Sequence, residues 1–184
     1  MAISFEVPNR EEVSENNKAI FDQLEKGLGF VPNLYATYAY SNTALADYLA
    51  LQNRKSSLKA KERELINLVV SQVNECQYCL SAHTQLGKMN GFTDEQILEI
   101  RSGAASFDPK LNALAKFVKS AMVNRSKPGR EAVENLFAAG YNKENLVDII
   151  IVIGDKVISN FIHGTTQIPI DFPEARPLEE EATA

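Results

Sequence analysis

Apolar residues return every three or four positions through almost the whole chain, and convincing alternation of period two is absent. That pattern predicts helices. Residues 14–28 read as a helix led by Ser14 and stopped near Gly27 and Gly29. Pro32 suits a first helical turn before a stripe of Tyr35, Tyr38 and Ala39. Ser41 or Asn42 would cap a helix through Leu51. Residues 60–73 are apolar almost all round after Glu64, the mark of a buried helix. Asn74 is placed to cap a helix over 75–90, closed by Gly91. Thr93 with Gln96 forms a capping box for 94–101, and Asp108-Pro109 opens a helix to about Asn124. Residues 129–139 read as a short helix ended by Gly140, and Asn142 as the cap of a last long helix over 143–163, ended by Gly164. Within that last run Ile149 to Ile153 is β-branched, but its flanks keep the helical period. The expectation is an all-α fold of eight or nine helices.

The 184 residues fit one domain, 1–184, large enough to bury a core without staples, with a Pro- and Glu-rich tail over about 177–184 predicted to fray. Lys plus Arg number 19 against 24 Asp plus Glu, a net charge of −5. No basic footprint for nucleic acid is present, and anionic lipid would repel such a chain. The longest strongly apolar run, Ile149 to Ile153, falls far short of a bilayer span. The first residues lack the basic-then-apolar order of a secretory signal, so the expected compartment is the cytoplasm.

Structural disulfides are rare there. The only two cysteines, Cys76 and Cys79, would in any case close too small a ring to staple the chain, worth roughly 2 kcal/mol in the loop-entropy account. Two thiols so close suggest redox or metal chemistry.

An internal similarity adds a second clue. Shifted by 80, Glu64 falls on Glu144 and His83 on His163, while Ile66, Val69, Val70 and Val73 fall on Leu146, Ile149, Ile150 and Ile153. The cysteines fall on Lys156 and Ser159. This points to two related helical units, of which only the first carries thiols.

The chemistry concentrates in Cys76-Gln77-Tyr78-Cys79-Leu80-Ser81-Ala82-His83. On a helix of ~100° per residue, Cys76, Cys79 and His83 project within roughly 60° of one another. Thiols in a first turn gain from the helix dipole and free amides, and a histidine one turn on can relay a proton. The set supplies a nucleophile, a resolving partner and a base. Other readings stay open. Cysteines are often small buried apolar residues. Cys76, Cys79, His83 and Glu64 would also make a metal set, though without a second Cys or His pair. Glu64 and His163 alone read as ordinary helix-end residues, and Tyr78 as core or pocket wall.

Glu64, Cys76 twelve residues on, then Cys79 and His83 resemble the active-site pattern of AhpD-like alkyl hydroperoxidases, in the carboxymuconolactone decarboxylase-like family. The segment LKAKERELINLVVSQVNECQYCLSAHTQLGKMNGFTDEQI is similar to that family's core, and GFVPNLYATYAYSNTAL and TQIPIDFP to its peroxidase-related branch. The resemblance implies an AhpD-like helical fold assembling as a dimer, trimer or hexamer. It implies Cys79 as peroxidatic thiol, Cys76 as resolving thiol, and Glu64 with His83 as proton relay. It implies a hydroperoxide substrate and a dithiol reductant, either a small molecule or a lipoyl- or thioredoxin-like protein, with no cofactor or metal. One position departs: where the founding enzyme has His before the second cysteine, this chain has Tyr78. A phenol of pKa about 10 does not serve as a base near neutral pH. The family also holds lactone decarboxylases that need no cysteine pair. A redox sensor or metal-binding helical oligomer without turnover is the reading from another class.

Overall fold

Helices begin where the sequence supplies a cap. In the computed structural model, which describes residues 5–178, α1 (Glu15–Leu28) starts at Ser14, whose hydroxyl accepts from the Asn17 amide, and ends on Gly29 at φ 82°. Two short helices follow, α2 (Asn33–Tyr38) and α3 (Ala44–Gln52). Then come α4 (Ala60–Val73) and α5 (Gln77–Met89). The capping box of Thr93 and Gln96 opens α6 (Asp94–Ser102), and Asp108 with Pro109 opens α7 (Pro109–Val123). After α8 (Arg130–Ala138), Asn142 and Asn145 box the start of α9 (Lys143–Thr166). A single 3₁₀ turn, Arg10–Glu12, precedes them. Among the described residues there are nine α-helices and no strand, so the all-α expectation holds. Residues 179–184, most of the tail expected to fray, lie outside the described residues.

The centre of the molecule is α4. Its Leu65, Ile66, Leu68, Val69 and Val70 are completely buried. Each such side chain contributes roughly 1.5–3 kcal/mol of apolar transfer. It packs against α5, α6, α7 and α9, which is why its sequence is apolar on nearly every face. One core gathers α4 with Ile97, Ile100, Leu114, Val118, Leu136 and Ile149. A second gathers Phe21, Leu34, Tyr38, Leu45, Tyr48 and Ile168 around Cys76, Tyr78 and Cys79. The cysteines therefore lie inside the second core.

Two devices fix α9 against the rest. Asp148 is buried and collects the Arg54 guanidinium at 2.5 Å, the Ser57 amide at 2.6 Å and the Ser57 hydroxyl at 2.7 Å. These donors outweigh burial and hold its carboxyl well below the usual carboxylate range. At the other end, the helix runs through Gly164, where a stop was expected, and closes on Gln167 at φ 52°. The chain then lies extended across α5. The Ala175 backbone amide donates to the Ser81 hydroxyl at 3.0 Å, and its carbonyl accepts from the Gln77 side-chain Nε2 at 2.9 Å.

The two segments related by the shift of 80 fold differently. Residues 64–83 pass through a helix, a turn and a second helix, whereas 144–163 lie within α9 alone. The similarity is one of apolar spacing along a helix, not of a repeated helical unit.

Candidate active site

The turn between α4 and α5 has no spare residue. Glu75 takes a left-handed conformation at φ 53° and donates its amide to the Gln72 carbonyl at 3.1 Å. The Cys76 amide donates to the Ser71 carbonyl at 2.9 Å. These are the two bonds of a Schellman closure. Cys76, at φ −83° and ψ 92°, is also the cap of α5, its carbonyl accepting from the Leu80 amide at 2.9 Å. This corrects the sequence expectation: Asn74 ends α4 rather than capping α5, and Cys76 precedes the helix instead of standing on its wheel. The Schellman bonds to α4 claim residues 75 and 76 before α5 can. Cys79 does occupy the first turn.

Both cysteines are free and buried, with 3% and 2% of their surface exposed. Hydrogen bonding from Cys76 lowers the Cys79 thiol to about 7, against the opposing effect of burial. The same bond, together with burial, pushes Cys76 up. The pair thus divides its labour: Cys79 ionises first while Cys76 keeps its proton. Asn160 of α9 favours the ionised form of each. Its amide donates to the Ser71 hydroxyl at 3.3 Å and its oxygen accepts from Asn74 at 2.9 Å, tying α9 to this turn.

Glu64 and His83 form the second pair. Folding α5 back on α4 brings His83 Nδ1 to 2.7 Å from Glu64 Oε2, with both side chains largely buried. Burial pushes His83 down, and the charge of Lys156 adds to this, outweighing Glu64. The imidazole is then neutral near pH 7. Burial opposes ionisation of Glu64, but its His83 partner prevails and holds the carboxyl below its ordinary value. The network assigns Nδ1–H as donor to the carboxylate and leaves Nε2 as acceptor. Among the described residues no hydrogen bond joins His83 to either sulfur. The four expected residues arrive as two pairs, Cys76 with Cys79 and Glu64 with His83. No three His, Cys, Asp or Glu side chains converge to hold a metal ion among the described residues.

Tyr78 is a wall of the core. Its hydroxyl accepts from the Leu34 amide at 3.1 Å, and its ring packs on His163 and Phe172 at centroid distances of 5.3 and 5.7 Å. Burial raises its phenol further from any role as a base. His163 is buried against that ring, far from Glu144, which is exposed at the start of α9. Tyr38 and Tyr48 stack at 4.4 Å in the same core, while Tyr40 faces out. Sequence reasoning missed Lys156, which is 2% exposed and whose charge acts on Cys79, Glu64 and His83 alike. The available signal was a lysine inside the most apolar helical run of the chain.

This arrangement of helices has counterparts. A peroxidase-related protein of Silicibacter sp. TM1040 superposes with a TM-score of 0.79 at 23% identity, over 94% of this chain and 91% of that one. A second, from Ralstonia eutropha JMP134 and described as an alkylhydroperoxidase AhpD core, gives 0.81 at 20% identity, over 91% of each chain. The fold is AhpD-like. The apo form of the debrominase Bmp8 shares it at 0.71 and 16% identity, over 85% of this chain and 87% of that one. In sequence, residues 38–120 match the carboxymuconolactone decarboxylase family, a span that holds Glu64, Cys76, Cys79 and His83. The protein YdfG of Bacillus subtilis is 26% identical over 102 residues, 54% of this chain and 69% of its own. The structural likenesses show the fold, and the sequence likeness to the carboxymuconolactone decarboxylase family spans residues 38–120.

Proposed function

We propose that this AhpD-like chain is a thiol-dependent hydroperoxide reductase in which Cys79 is the attacking thiol and Cys76 the resolving one. The observation that carries the reading is the buried Cys76–Cys79 pair, in which one thiol is lowered to about 7 and the other raised. The Cys79 thiolate attacks the distal oxygen of a hydroperoxide. An S–O bond forms, the O–O bond breaks, and the departing alkoxide takes a proton to leave as alcohol, or as water when the substrate is hydrogen peroxide. Glu64 and His83 accept the thiol proton and return it to the leaving oxygen, water linking them to the sulfur. Cys76 then attacks the sulfenic sulfur, forming the disulfide and expelling water. A dithiol reductant exchanges with that disulfide, restores both thiols and is itself oxidised.

No described helix is long and apolar enough to cross a membrane, and we place the reaction in the cytoplasm. The working form is a homo-oligomer. Val147, Ile150, Ile158 and Phe161 are exposed along α9. They stand symmetrically about Gly154, where an added Cβ would meet nothing. A second α9 running antiparallel across Gly154 would pair Val147 with the partner copy's Phe161 and Ile150 with the partner copy's Ile158, the self-complementary contact of a two-fold axis.

The test is thiol titration in denaturant before and after one equivalent of cumene hydroperoxide. Loss of two thiols to one intramolecular disulfide in the native chain, and no disulfide in Cys79→Ser, is expected. Two free thiols remaining in the native chain would overturn the reading.

A further inference from the structure

We propose that the buried ammonium of Lys156 is the counter-charge that holds Cys79 in its reactive thiolate form, a positioning residue contributed by α9 to a site whose thiols and Glu64–His83 pair come from α4, α5 and the turn between them. This deepens the thiol reading above.

Lysine is almost never fully buried without a partner, because an ammonium removed from water loses its hydration. Lys156 keeps 2% of its surface, yet it takes part in none of the ion pairs found among the described residues. Neither nearby carboxylate forms an ion pair with it. Glu64 is committed to His83 at 2.7 Å, and Asp155 precedes Lys156 in the helix without forming an ion pair with it. The ammonium has no paired carboxylate, and the first turn of α5 carries no cation of its own.

Asn160 shows that this stretch of α9 faces the cysteine turn. It lies one helical turn beyond Lys156 and bonds to Ser71 and Asn74, two residues of the Schellman turn. Residues 156 and 160 share a helix face, so the lysine side chain lies along the surface that covers the thiols. The ionisable groups around Cys79 are Cys76 at the cap of α5, His83 one turn on, Glu64 from α4, Tyr35, Tyr38 and Tyr48 from α2 and α3, and Asp155 and Lys156 from α9. Lys156 is the one standing cation among them, since His83 is held neutral. Burial opposes the charge on Lys156, but the negative groups around it, Cys79 foremost and then Asp155, hold it above the ordinary lysine value. The positive charge favours the Cys79 thiolate, whereas Asp155 disfavours it.

The experiment follows thiolate absorbance at 240 nm against pH in a Cys76→Ser background, with no peroxide present. It compares the parent with Lys156→Met, of similar length, and with Asp155→Asn. Lys156→Met should raise the midpoint by a unit or more, so that at pH 6 the thiolate fraction and the rate of alkylation by iodoacetamide fall about tenfold. Asp155→Asn should move the midpoint down. These opposite signs are not what loosened packing would produce. An unchanged midpoint in a folded Lys156→Met chain would overturn the proposal. If that variant does not fold, an upward or absent shift in Asp155→Asn overturns it in its place. Because no hydroperoxide is used, this result and the titration that tests peroxide reduction can fail independently.

Discussion

Residues 64–83 and 144–163 start from the same pattern and end as opposites. Each has a glutamate and a histidine nineteen residues apart, with matching aliphatic positions between them. In the first segment the chain breaks at Glu75 and folds back, and the nineteen-residue spacing becomes a 2.7 Å hydrogen bond between Glu64 and His83. In the second the helix runs on, and the same spacing separates Glu144 from His163 by about 28 Å at 1.5 Å per residue. Burial diverges too. Val70 is fully buried on α4, whereas its aligned partner Ile150 is 54% exposed on α9. An apolar stripe selects a helix, but the turn decides whether its polar residues meet. The unbroken segment still serves the site, since its Lys156 and Asn160 cover the turn made by the broken one.

The contrast is sharpest for the two glutamates. Glu64→Gln keeps the shape of the side chain and removes the charge that holds the His83 Nδ1 proton. Hydroperoxide reduction should fall about 10²-fold or more, the usual share of an acid–base relay. Glu144→Gln, exposed at the start of α9, should leave the rate within twofold. Steady-state peroxide consumption with a dithiol present reads both, and equal losses would show that the Glu64–His83 pair has no part in the chemistry. A smaller effect is expected where α9 faces outward. Phe161→Asp places a charge in the exposed stripe and should shift sedimentation or light scattering towards monomer, while the same change at exposed Met89, off that stripe, should not. An unaltered mass for Phe161→Asp would move the interface away from α9.

Much of this was legible in the sequence because it is local. Ser14, Thr93, Asp108-Pro109 and Asn142 mark helix starts by bonds to residues within three positions, and the structure keeps all of them. Tyr78 reads as core or pocket wall and His163 as a helix-end residue, and the two rings pack together beside the second core. What was not legible depends on the partner across the fold. The extension of α9 beyond Gly164 is one case. Lys156 is another: aligned with Cys76, it read as the place where thiol chemistry had been lost. Only the packing of α9 over the cysteine turn shows it as a buried cation. The start of α5 was missed for a subtler reason. Asn74 is a good cap by composition, but Glu75 and Cys76 give their amides back to α4 first.

That last point can be turned into a measurement of opposite signs. Glu75 holds φ 53°, a conformation that costs a residue with a Cβ roughly 1–2 kcal/mol relative to the right-handed helix. Glycine removes that penalty but adds freedom to the unfolded chain, so Glu75→Gly should stabilise by about 0.5–1 kcal/mol. For a chain of this size that is a rise in Tm of roughly 1–4 °C. Its aligned partner, Asp155, sits inside an uninterrupted helix, where glycine forfeits about 1 kcal/mol of helix propensity, so Asp155→Gly should lower Tm. Thermal unfolding of the two variants side by side separates a turn written into the backbone at residue 75 from one imposed by packing. If Glu75→Gly also lowers Tm, the Glu75 side chain, rather than the left-handed backbone, is what holds the turn between α4 and α5.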